Sequence, residues 1–274
     1  VQHDSLNLVA DFTQKMVPIP GFDEIVKTLK FERTGVELSL DFRVAQTQNL
    51  EPILRVLKPL LNQKLAAGRF HELRNTLKRF GLAMHNWHEK HKVFPAHANY
   101  DENGKPLLSW RVHILQYLDN QELYKQFHLD EPWDSPHNKS LIPRMPDYFK
   151  VPGSKVAQQG RTGIVLPILP DGSSITSGMK DGYQVREIID GTSNTAMITV
   201  VDDEHSVIWT QPDDLVIDAE QPLEGLLRWK LANGESVIPT TFADGSVHSL
   251  PAKMDPKIWL KILTRAGGEV FDFP

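Results

Sequence analysis

Apolar side chains recur along residues 73–87 at steps of four, three, four and three: Leu73, Leu77, Phe80, Met84 and Trp87. At 3.6 residues per turn these steps align all five on one narrow stripe of an α-helix, and such a stripe needs a surface to bury it. Upstream, Ile53, Leu57, Leu60, Leu61 and Leu65 give residues 50–67 the same period, with Pro52 near the start and Pro59 expected to kink it. Gly68 separates the two runs, which are read as one bent rod, with two separate helices as the alternative. After the stripe, Ser109-Trp110-Arg111-Val112 leads a second apolar run through Ile114, Tyr117 and Leu118, and Glu131-Pro132-Trp133-Asp134 follows it.

Other segments change period. Residues 4–17 predict a short helix with Leu6, Leu8, Val9 and Phe12 inward, stopped by Pro18 and Pro20. Leu29 and Phe31, then Val36, Leu38, Leu40 and Phe42 beyond the Thr34-Gly35 turn, alternate as in a hairpin with one buried face. Ser135-Pro136 reads as N-cap and first turn of a short helix to about Ile142, before Pro143 and Pro146. From Gly163 onward the chain has the texture of strands and turns. Asp171-Gly172, Asp181-Gly182, Asp190-Gly191 and Asp244-Gly245 each place a glycine where a reversal needs positive φ, and residues 240–248 read as two strands across a two-residue turn. Asp255-Pro256 caps a last helix carrying Ile258, Trp259, Ile262 and Leu263, closed by Gly267-Gly268. The expected fold is α+β: a long helix on the N-terminal side packed on a mostly antiparallel sheet drawn from residues 160–250. A small helix-hairpin-helix extension, residues 1–70, precedes the main domain, residues 71–274.

Composition narrows the function. With 274 residues, 40% of them hydrophobic, the chain can bury a true core. A net charge of -5 argues against nucleic acid as a partner, because phosphate-binding surfaces carry a basic excess. The absence of cysteine removes disulfides, thiolate metal sites and a cysteine nucleophile. No apolar run reaches bilayer-spanning length, so no membrane-spanning segment is expected. A chain that opens on Val1 is expected to be a processed or trimmed product whose signal or anchor, if any, has been lost. Charge is also asymmetric: Arg74, Lys78, Arg79, Lys90 and Lys92 crowd one helix segment, whereas residues 202–224 hold eight Asp or Glu and no Lys or Arg. That asymmetry allows the two regions to dock or to present a cation site.

Candidate chemistry is incomplete in every case. His85, His88 and His91 lie on successive turns, but a zincin helix needs two histidines four apart with a glutamate between them, and His88-Glu89-Lys90-His91 is one residue short. Solvated or core-edge histidines are the simpler reading, against a metal site completed by His97 or His113. Asp202, Asp203, Glu204, Asp213 and Asp214, with Asp218 beyond them, form an oxygen-rich stretch suited to calcium, though without EF-hand spacing; a solvated face is the alternative. Around Ser193 no serine-enzyme signature is present, so the polar residues of Asp190-Gly191-Thr192-Ser193-Asn194-Thr195 read as side chains that hydrogen-bond and fix a loop. The six tryptophans, Trp87, Trp110, Trp133, Trp209, Trp229 and Trp259, offer a glycan surface or core packing, and their apolar contexts favour the core. No phosphate-binding glycine motif occurs.

Several of these motifs together resemble a known family. The run from Asn75 through Leu77-Lys78-Arg79-Phe80-Gly81 to Trp87-His88, then Phe94-Pro95, Ser109-Trp110-Arg111-Val112 and Pro132-Trp133-Asp134, resembles the DUF1559 family of planctomycete and related bacteria. Further matches follow in order: the Asp190, Gly191 and Asn194 loop, Trp209-Thr210 with Pro212, Phe242-Ala243-Asp244-Gly245-Ser246-Val247, and the Leu263 to Val270 segment. That family is similar to type II secretion pseudopilins and type IV pilins. The resemblance therefore implies an extracytoplasmic protein, periplasmic, cell-surface or secreted, with a helix laid on an antiparallel sheet. Members often carry a hydrophobic prepilin helix before this region, where residues 50–68 hold Glu51, Arg55, Lys58 and Lys64; this favours a secreted or tethered relative. Gly234 stands where the H-x9-DG motif has histidine, and Val151-Pro152-Gly153 where the family has Cys-Pro-Ser. The resulting expectation is a non-enzymatic structural or protein-interaction module without a cofactor, contacting envelope proteins or copies of itself. A ligand-binding module for calcium or glycan is the alternative, and a metallohydrolase the weaker one.

Overall fold

The computed structural model describes residues 30–34, 37–41, 51–175 and 182–268. The helix expected over residues 4–17 lies outside them. The chain divides into two compact units, Val1–Arg69 and Phe70–Pro274. In the first, β1 (Lys30–Thr34) and β2 (Glu37–Asp41) form the antiparallel hairpin read from the sequence, with Phe31 opposite Leu40 and Arg33 opposite Leu38. The expected single rod is present, and not two helices: α1 (Glu51–His91) is one helix through Pro52, Pro59 and Gly68. Among the described residues no helix is long and apolar enough to cross a membrane.

In the second unit, β3 (Ala98–Tyr100) pairs with β4 (Pro106–Ser109), which runs directly into the short helix α2 (Trp110–His113). Short helices α3 (Gln121–Tyr124) and α4 (Pro136–Lys139) follow. The Ser135 cap is present, its hydroxyl accepting from the Asn138 amide, but α4 ends at Lys139 and a separate 3-10 turn begins at Ile142, where Pro143 removes a helical donor. The later strands are β5 (Arg161–Thr162), β6 (Ile164–Val165), β7 (Pro167–Ile168), β8 (Ala196–Val200), β9 (Val207–Ile208), β10 (Leu215–Val216), β11 (Trp229–Lys230), β12 (Ser236–Phe242) and β13 (Val247–Pro251). Five of them make an antiparallel sheet in the order β11-β12-β8-β6, with β13 paired to β12. β5 pairs antiparallel with β9, and β7 pairs parallel with β10.

The stripe on α1 is buried as its spacing requires. Leu73, Leu77, Phe80 and Met84 are fully enclosed, while Trp87 at the end is half-buried. Each enclosed side chain contributes about 2 kcal/mol of apolar transfer. They join one core cluster with Ile198, Ala243 and Val247 of the sheet region and with Phe94, Trp110 and Phe149 from the preceding loops. Phe80 stacks on Phe149 at 5.0 Å and meets Trp110 edge-on at 6.4 Å. A second cluster uses the other set of strand residues: Ile238, Phe242 and Leu250 pack with Trp259, Ile262 and Leu263 of α5 (Pro256–Leu263), whose N-cap is Asp255 as expected. Because β12 is covered in this way on both faces, Val237 to Phe242 are all buried and the strand shows no polar alternation. The helix ends at Leu263, and Thr264 forms a β-bridge to Ser174 before the two glycines are reached.

The β12–β13 turn differs from the two-residue expectation. Phe242 N–H donates to Ser246 O, Gly245 N–H donates to Phe242 O and Gly245 has φ 84°, which is a three-residue loop with glycine at the left-handed position. Gly172, Gly182 and Gly191 also have positive φ, as predicted. The α1 helix crosses this turn at a glycine of its own. A Cβ on Gly81 would stand 2.9 Å from Gly245 Cα and 3.1 Å from its carbonyl oxygen.

Gly81→Ala therefore forces backbone apart. It is expected to lower stability by about 1–3 kcal/mol even though alanine is the better helix former by about 1 kcal/mol. Gly68→Ala, with nothing within 4 Å of the added carbon, should instead raise stability by up to about 1 kcal/mol. Urea denaturation of the two variants checks both signs.

Candidate functional site

The most constrained polar group in the second unit is Arg111. It follows Trp110 in α2, inside an apolar run, and its side chain is 0% exposed. A buried guanidinium must satisfy five donors, and all five are used. Nε donates to Ile164 O at 2.8 Å, and the two terminal nitrogens donate to Ser109 Oγ at 2.7 Å, twice to Asp213 O at 3.3 Å, and to Asp214 Oδ1 at 2.5 Å. Asp214 is equally enclosed. Its Oδ1 also accepts from Leu166 N–H at 2.9 Å and from Trp110 Nε1–H at 3.2 Å, whereas Oδ2 has no hydrogen-bond partner among the described residues.

This pair pins three separate segments, residues 109–111, 164–166 and 213–215, at the edge of the core. Burial pushes the Asp214 carboxyl up and the Arg111 guanidinium down, each opposed by the other's charge. His97 lies beside them: burial lowers its pKa, with Asp214 acting to raise it and Arg111 to lower it. Its ring is within 3.2 Å of the Tyr100 hydroxyl, and its carbonyl accepts from Trp110 N–H.

The Asp190 loop forms a second brace. Asp190 Oδ2 accepts from Thr264 Oγ1–H and Gly267 N–H, Oδ1 accepts from Gly268 N–H, and the Asp190 amide donates to Arg265 O. Asn194 Nδ2 donates back to Asp190 O and Thr195 Oγ1 to Gly191 O, so the side-chain-to-backbone bonds expected of this loop are present, while Ser193 is exposed. A third brace is Asn138, whose amide binds the His128, Glu131 and Pro132 carbonyls and fixes the chain before Trp133 and Asp134. Trp133 is half-buried with its amide on Leu107 O, and Asp134 is exposed.

The other candidates are dispersed. Asp202 Oδ1 accepts from the Glu204 and His205 amides and from the His205 ring, Asp203 Oδ2 accepts from Lys155 N–H, and Asp213 Oδ1 accepts from Asp214 N–H. Glu204 is exposed. Among the described residues no three His, Asp or Glu side chains form a group able to hold a metal ion. His85 and His88 lie 5.3 and 5.1 Å from the Phe94 ring, and His91 stacks on Trp87 at 3.9 Å. His113 is buried with Nε2–H donating to Asn99 Oδ1 at 3.0 Å, and its pKa falls to about 4, chiefly by burial and then by His91. Trp110, Trp209 and Trp259 are fully buried, and Trp87, Trp133 and Trp229 are half-buried.

Arg111 and Asp214 were both visible in the sequence, but as members of unrelated motifs. The signal that joins them is physical: an arginine inside an apolar run requires a buried carboxylate, and the acidic stretch is the richest source of one.

Comparison with known proteins adds one match. Residues 67–155 match the model of a family described as "Protein of unknown function (DUF1559)", which bears out the DUF1559 resemblance over the end of α1 and the segment through Arg111 and Asn138. No curated protein and no solved structure matches the chain.

Removing one partner of the buried pair leaves an uncompensated charge, so Asp214→Ala and Arg111→Met should each cost about 3–5 kcal/mol, and the double variant less than their sum. A denaturation double-mutant cycle reads this. For His113 the folded pKa lies below the unfolded one, so the unfolded chain binds more protons between about pH 6.5 and 4, and stability falls as pH drops through that window. The loss attributable to His113 is about 3 kcal/mol, and His113→Gln should remove it from the stability profile.

Proposed function

We propose that this protein is a non-enzymatic, pseudopilin-like module of the cell envelope or secretome that works through protein-protein contact. The observation that carries the reading is how its motif residues are used. Arg111, Asp190, Asn194, Asp244 and Asn138 each terminate on backbone groups or on a carboxylate of another loop, as braces that fix the surface. A rigid surface loses little conformational entropy on binding, which suits a module that recognises other proteins.

The long helix laid on an antiparallel sheet is the architecture that a pseudopilin relative would have, and it supports the same reading. So does the exposure of Ile189, 76% accessible beside the immobilised Asp190. A protruding apolar side chain whose backbone is held is suited to serve as an anchor at an interface.

Two measurements test the proposal. Fractionation of the tagged native gene product should place it outside the cytoplasm, and the purified chain should show no turnover across a broad hydrolase panel. Turnover abolished by a single substitution would overturn the non-enzymatic reading, and a cytoplasmic product would overturn the envelope one.

A further inference from the structure

The basic helix segment and the acidic stretch are complementary, but they do not satisfy each other within the chain. Asp214 goes to Arg111 and Arg79 to Asp119, and among the described residues no ion pair links residues 74–92 with 202–224. Both surfaces stay open. On the outer face of α1, Leu82 is 61% exposed, with Lys78 and Arg79 about one turn before it, and Lys90 about two turns after it beside Glu89. On the other surface Val216 is also 61% exposed, in β10, with Asp213, Asp218 and Glu220 exposed around it.

β10 is an edge. Its one strand neighbour among the described residues is β7, bonded through Leu215 N–H to Leu166 O and Ile217 N–H to Ile168 O. Strand hydrogen bonding alternates, so the amide and carbonyl of Val216 point along the unpaired side. Natural edges of this kind are protected by charge or covered by a helix. This one carries carboxylates, which disfavour a second acidic edge and favour a basic surface.

We propose that the cover is α1 of a second copy: the face around Leu82 seats on the Val216 edge of the neighbouring molecule, apolar on apolar, with Lys78 facing Asp218 and Glu220. The proposal rests on the protein-contact reading above and names its partner. Because the two surfaces differ, the contact is heterologous, and each dimer keeps one surface of each kind free for a further copy.

Sedimentation velocity on the whole chain tests it. Charge screening shortens from about 10 Å at 0.1 M salt to about 3 Å at 1 M, so association should weaken at least about tenfold across that range. The exposed-site variants Lys78→Gln/Leu82→Ser and Val216→Ser/Asp218→Asn should each be monomeric with unchanged melting. Mixed one to one, they should form a dimer and stop, because each supplies one intact surface. A wild-type chain that is monomeric at about 0.1 mM and low salt, or association that both variants retain, sinks the proposal. Such a monomer that lacks turnover and is exported leaves the broader reading standing, whereas turnover removes that reading whatever the oligomeric state.

Discussion

The second unit is organised around a charge that water cannot reach. Moving a guanidinium out of water costs several kcal/mol even after relaxation, so Arg111 is tolerable only where every one of its donors meets an acceptor. The acceptors come from Ser109, Ile164, Asp213 and Asp214, which lie in three stretches far apart in the chain. Packing alone would permit many arrangements of those stretches. The fixed fork of the guanidinium permits few, since a shift of one loop leaves a buried donor unpaired. The same logic extends to Asp190 and Asn138, where one side chain caps several backbone groups of another loop.

These braces account for much of the polar sequence in the loops. A carboxylate that accepts from two amides and a hydroxyl, as Asp190 does, is oriented by those bonds. Oδ2 of Asp214, without a hydrogen-bond partner among the described residues, is the exception, and its enclosure beside Arg111 keeps it from solvent. The short segments β3 to α4 gain their definition in the same way. Asn99 accepts from Leu108 and His113 while donating to Leu129, holding a region that has little regular structure of its own.

Local signals were readable where short-range physics decides. The 4-3-4-3 stripe, the Ser135 and Asp255 caps and the positive-φ glycines depend on a few neighbouring residues, and each is found where the spacing put it. The sequence was least informative where tertiary contacts overrule local preference. Burial on both faces erased the alternation that marks a strand in β12. The Arg111–Asp214 pair was hidden for a related reason. Periodicity reports which residues are buried, but it does not say which distant partner meets them.

The meeting of Gly81 with Gly245 couples two positions that lie on different elements and far apart in the chain. A side chain on Gly81 would displace the Gly245 backbone, whereas a side chain on Gly245 is opposed by its own φ of 84° and not by contact with Gly81. The bareness of Gly81 sets the depth at which the helix rests on the turn, as a notch filled by the Gly245 backbone. Among relatives, a bulkier residue at the Gly81 position should therefore travel with a rebuilt turn around Gly245, leaving a trace of this contact in paired sequence change.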